Sequence, residues 1–81
     1  MKYVYILECI AEPDRHYVGL TDDLKARFSE HNSGRSPHTS KHRPWRLKTY
    51  AAFDDEERAV WFERYLKSGS GREFAKRRFD S

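Results

Sequence analysis

Two phenols, a guanidinium and an imidazole fall within the first 31 residues of this chain: Tyr5, Tyr17, Arg27 and His31. Tyr5 belongs to the run Tyr3-Val4-Tyr5-Ile6-Leu7, and Tyr17 opens Tyr17-Val18-Gly19. Burial alone does not call for this mix, because Phe and Leu fill a core without polar tips that need partners. A guanidinium can grip phosphate oxygens bidentately and neutralise charge developing on them. A phenol or an imidazole beside it can hold or move a proton. Together they suggest a phosphate-handling site built on a β-hairpin and the helix after it.

Arg27 and His31 are four residues apart and share a helix face beside the apolar pair Leu24 and Phe28. That face puts both polar heads at the border of the buried stripe. A phosphate clamp fits this placement, and so do a surface Arg and His that merely flank a core. Glu63 is the second candidate, in the middle of the apolar stripe Ala59, Phe62 and Leu66 on a 100° wheel. Acidic residues are almost never fully buried unless paired. Glu63 therefore either sits at the rim bonded to a Lys or Arg, or points into a cleft. In a cleft it would hold a hard divalent cation through one oxygen plus waters, a one-metal site.

Other charges are less specific. Arg35, Lys41, Arg43, Arg46 and Lys48 lie in one acid-free stretch, interleaved with His38 and Trp45. Such a stretch can track a phosphate backbone, and Arg72, Lys76, Arg77 and Arg78 either extend that surface or form a solvated helix face. His38 and His42 have half the spacing of a zinc finger, but no cysteine pair completes it.

Eighty-one residues make one domain, residues 1–81, which buries only roughly 60–65% of its unfolded surface. The net charge is +3 with 36% charged residues and a pI near 9.2, which favours a polyanionic partner. Cys9 is the only cysteine, so no internal disulfide forms and a reducing compartment is expected. The apolar run after Lys2 breaks at Glu8, too short for a signal segment or a membrane span. The expected setting is cytoplasmic, with no membrane partner.

The elements that position these residues can be read along the chain. Residues 3–9 form a first strand, expected to be central because it is the most continuously apolar. Pro13-Asp14 turns the chain into a second strand over 16–20. Thr21 or Asp22 caps a helix to about Asn32, with Gly34 at its C-terminal end. Residues 35–44 form a basic, polar, exposed loop, and Trp45 to Phe53 a third strand. Asp54 caps a second helix ending near Ser68-Gly69, and the box Ser70-Gly71-Arg72-Glu73 starts a last helix reaching Phe79. The expected fold is α+β: a three-stranded antiparallel sheet flanked by about three helices, in the order ββαβαα.

In this order, Tyr3-Val4-Tyr5, Tyr17-Val18-Gly19, Arg27, His31-Asn32 and Glu63 before Tyr65-Leu66-Lys67 resemble a GIY-YIG nuclease domain. The small stand-alone bacterial branch is closest, given Arg43-Pro44-Trp45 and the Ser68-Gly69-Ser70-Gly71-Arg72 ending. The resemblance covers residues 3 to 79. It implies that Tyr5 or Tyr17 orients or deprotonates the attacking water and that Arg27 holds the scissile phosphate. It further implies that Glu63 carries one Mg²⁺ or Mn²⁺ and that His31 assists. A free phenol titrates near pH 10, so general-base use requires a cationic neighbour or a metal.

Three positions depart from the family pattern: Tyr3 replaces the first motif glycine, Leu20 a lysine, and the late asparagine has only Ser68 or Ser70 nearby. Tyr5, Tyr17, Arg27, His31 and Glu63 are expected to converge on one concave surface. The implied activity is metal-dependent cleavage of DNA phosphodiester bonds, structure-selective and linked to repair or recombination. Nothing in the residues discriminates against RNA. The alternatives are a nucleic-acid-binding module without turnover and a protein-interaction domain with a basic face.

Overall fold

The computed structural model describes residues 1–79. Three strands, β1 (Lys2–Cys9), β2 (His16–Thr21) and β3 (Trp45–Phe53), form one antiparallel sheet in the order β2-β1-β3. The most apolar strand is the central one. Its alternation sorts the core into two halves, because successive side chains point to opposite faces. Val4 and Ile6 face a cluster with Ala59 and Leu66, while Tyr5, Leu7 and Cys9 face one with Trp45, Leu24 and Phe28.

Helix α1 (Leu24–Ser33) therefore covers one face, and α2 (Glu56–Lys67) with α3 (Gly69–Phe79) covers the other. Burying Leu66, 2% exposed, contributes roughly 1.5–3 kcal/mol to holding α2 in place. The register of β1 with β3 shifts between Ile6 and Leu7, which pair with Thr49 and Leu47. Lys48 is the extra residue of that bulge.

The order ββαβαα and the sheet match the sequence reading, and the caps correct it in detail. Asp23, rather than Thr21 or Asp22, caps α1 and accepts from the Ala26 N–H. Thr21 instead accepts from the Asp23 N–H, fixing the turn before the helix. Gly34 ends α1 at φ 84°, a left-handed conformation that favours glycine. Asp55, rather than Asp54, caps α2. The last helix begins at Gly69, and Ser68 Oγ, not a box starting at Ser70, accepts from its Gly71 N–H.

The segment 35–44 also differs from an exposed loop. It carries a 3₁₀ turn over Ser40–His42 and buries Ser36 and Thr39. Asn32 anchors it: its amide donates to the Trp45 carbonyl at 2.9 Å and accepts from the Trp45 N–H at 2.6 Å. Both bonds tie the end of α1 to the start of β3.

Candidate active site

Tyr5 projects from the central strand toward α1 and is 1% exposed. Gly19 pairs with it across β2, and any side chain at position 19 would overlap the Tyr5 ring and hydroxyl. The glycine of the second motif is thus a matter of space: it lets the phenol lie flat across β2.

Helix α1 delivers the partners. Leu24, Phe28 and His31 fall on its inward face at i, i+4 and i+7. His31 is fully buried rather than bordering the stripe. Its Nε2 lies 2.7 Å from the Tyr5 hydroxyl and its Nδ1 2.7 Å from Thr39 Oγ1. Tyr17, half-buried on the edge strand, brings its ring centroid within 5.0 Å of His31 and 6.4 Å of Tyr5. Arg27 bears on the Tyr5 hydroxyl and pairs with Glu30 at 3.1 Å.

Electrostatics fix the proton order. Burial, and next the Arg27 charge, push the His31 pKa down to about 4, so the imidazole is neutral at physiological pH. One ring nitrogen then donates and the other accepts. The Arg27 cation beside the phenol turns the Tyr5 O–H away from itself and toward Nε2. Nδ1–H accordingly donates to Thr39 Oγ1. Burial raises the Tyr5 pKa and the Arg27 hydrogen bond only partly opposes this. Tyr5 is therefore a protonated phenol that orders its neighbours, and Tyr17 is the phenol with access to solvent.

Glu63 is the exception among the five residues expected to converge. It rides on α2, which packs on the opposite face of the sheet from α1, and it pairs with Lys67. This is the rim position, because one helical turn places the Lys67 ammonium within reach. The four residues Tyr5, Tyr17, Arg27 and His31 come together on the α1 face, whereas Glu63 belongs to the helix that packs on the other face. Lys67 does line a cleft with Tyr17, so the pair reaches the β2 edge from the far side.

The basic residues do not form one track either. Arg35, Lys41 and Arg43 are exposed around the α1–β3 connection, with Arg43 lying over Gly34. Arg46 and Lys48 turn to the other face and bind Glu8, at 2.7 Å and 2.9 Å. Lys48, with a side chain only 12% exposed, cannot serve as the surface contact the sequence reading gave it. These two cations, Lys48 first, with a weaker contribution from His16 at 3.4 Å, hold the Glu8 pKa down at about 2. Arg72 is exposed on α3.

Four residues of the site surroundings escaped the sequence reading: Glu8, Glu30, Asn32 as a clamp, and Thr39. Glu30 was recoverable, since it lies three residues from Arg27 on one helix. Thr39 was not, because its contact with His31 depends on how the connection folds back.

Among the described residues no group of three or more His, Cys, Asp or Glu stands ready to hold a metal. Glu63 offers one hard carboxylate, which fits a water-rich Mg²⁺ or Mn²⁺ site with a single protein ligand once Lys67 releases it.

Strand order, the paired tyrosine motifs and the clustered Arg and His define a nuclease-type α+β domain. The chain belongs to the GIY-YIG family: the model of the GIY-YIG catalytic domain matches residues 1–78. That family implies a nucleic-acid substrate and generally uses a divalent metal. Among its relatives is a UPF0213 protein of Lacticaseibacillus paracasei, 38% identical over 66 residues, covering 80% of this chain and 72% of that protein. Another is a UPF0213 protein of Haloquadratum walsbyi, 37% identical over 67 residues, with 82% and 73% covered. The solution NMR structure of a UPF0213 protein from Bacillus halodurans is similar over 99% of this chain and 88% of that one. Its TM-score is 0.59 and its identity 33%. No described helix is long and apolar enough to cross a membrane.

Proposed function

We propose that the protein is a metal-dependent endonuclease that hydrolyses DNA phosphodiester bonds. The observation that carries this reading is the Tyr5–His31 hydrogen bond with the tilted Tyr17 ring and the Arg27 charge beside it, in a chain of the GIY-YIG family. Arg27 holds a non-bridging oxygen of the scissile phosphate, with Glu30 and Tyr5 fixing its guanidinium from two sides. Tyr17 orients the attacking water and, once it has lost its own proton to solvent beside the Arg27 charge, takes the water's proton as phenolate. His31, neutral and buried, keeps the Tyr5 hydroxyl aimed rather than exchanging protons with solvent. Glu63, which reaches the β2 edge from the other helix layer, would hold a Mg²⁺ or Mn²⁺ through one oxygen, and that ion would supply Lewis-acid stabilisation of developing charge. Repair or recombination, with selectivity for DNA structure, is the setting proposed for this activity.

A binding module without turnover is the second reading, favoured by the Glu63–Lys67 ion pair that occupies the carboxylate. Incubation with supercoiled, branched and single-stranded DNA, and with RNA, with and without each metal, decides between them. Arg27→Ala and Tyr17→Phe are expected to slow nicking by about 10²-fold or more. Glu63→Ala is expected to abolish it while leaving the melting temperature nearly unchanged, since an i,i+4 pair with a half-exposed lysine is worth about 0.3–0.5 kcal/mol. Salt-sensitive DNA binding without nicking under any metal would establish the binding module instead.

A further inference from the structure

A cleft of about 700 Å³ opens between the β1–β2 sheet face and α3. Its size lies inside the ~300–1,000 Å³ range of small-ligand sites and is far too small for a duplex. Its two halves differ in chemistry. Ile6, Val18, Leu66, Ala75 and Phe79 make an apolar floor. The rim carries Arg72 and Lys76, one helical turn apart on α3, together with the Glu63-bound Lys67, the Glu8-bound Lys48 and, among the described residues, the carboxylate of Asp14. Arg72 and Lys76 are exposed, and neither forms an ion pair among the described residues. An apolar floor beneath a cationic rim matches a molecule with a flat apolar body and one anionic end. Tyr17 lines the same cleft while its ring touches His31 on the other side of β2. Whatever enters the cleft therefore comes to lie next to the proposed cleavage site.

We propose that this cleft is a mononucleotide site, taking an unstacked nucleobase on the Val18–Ala75–Phe79 floor and its phosphate between Arg72 and Lys76. An unpaired nucleotide of a strand and a free nucleotide share this chemistry. The first source rests on the nuclease reading above; binding itself does not. A base that leaves its stack must be sheltered by apolar or aromatic side chains, as this floor provides.

Titration of the full chain with deoxyadenosine 5′-monophosphate, followed by amide chemical shifts, tests the site. The expected result is that Val18, Ala75, Lys76 and Phe79 move together. Lys76→Glu and Ala75→Phe should each weaken binding about tenfold or more, one by charge and one by filling the floor. Lys76 is exposed, so its variant folds even if the Ala75 one does not. Inorganic phosphate binding as tightly as the nucleotide would overturn the proposal, as would an absence of shifts at the floor residues. A short single-stranded oligodeoxyadenylate binding more tightly than the free nucleotide assigns the site to strands; equal affinity assigns it to free nucleotides, and both uphold it. Nucleotide binding without any nicking would sink the nuclease reading alone. Nicking that survives in Ala75→Phe, with no nucleotide bound by the wild type, would sink this proposal alone.

Discussion

Glu8 gives the sharpest test of the packing described here. Its carboxylate binds Lys48 and Arg46 and lies near His16, and its side chain is 12% exposed. At about 1.36 kcal/mol per pKa unit, the fall from 4.5 to about 2 is worth roughly 3 kcal/mol. A folded-state pKa below the unfolded one means that this contribution is complete above about pH 4.5 and disappears as the pH falls through about 2. Against a total of about 4–12 kcal/mol for a chain of this length, it is a large share. Glu8→Gln should therefore cost about 3 kcal/mol or somewhat more near pH 6, because it also takes a carboxylate away from the nearly buried Lys48 ammonium. The measurement is a pair of urea melts, wild type and variant, repeated from pH 6 down to pH 2. The gap should shrink steadily below pH 4.5. A gap that stays constant over that range would mean that Glu8 acts through its shape, and the charge cluster would be an incidental contact.

Three further outcomes are expected. Gly19→Ala forces the Tyr5 ring off β2 and should cost about 1–3 kcal/mol in a melt, and nicking should fall with it. His31 has a folded-state pKa below its ordinary value, so its stabilising contribution is present above about pH 6.5 and is lost toward pH 4; ring NMR shifts should show it still neutral at pH 5.5. Charge reversal separates the two basic groups: Arg43→Glu should lower the salt slope of DNA binding without changing stability. Arg46→Glu should destabilise the fold by setting a second carboxylate against Glu8, read by melts of both variants.

The sequence by itself determined the elements and the chemistry. Apolar alternation and turn residues placed the three strands and three helices, because those signals depend on neighbours within a few positions. The tyrosine motifs, Arg27 and His31 were legible for the same reason: each is a polar group where a local pattern asked for an apolar one. Only the tertiary structure decided how they meet. Whether His31 borders the core or lies inside it turns on a few tens of degrees of helix rotation, and its burial lowers its pKa and makes it a neutral link. Glu63 and Arg27 are placed by different helices on opposite faces of the sheet, a separation invisible to helical wheels drawn one helix at a time. Arg46 and Lys48 look like free surface cations along the chain. The pairing of β3 with β1 sets Glu8 beside both, because registry joins residues almost forty positions apart and local sequence carries no record of it.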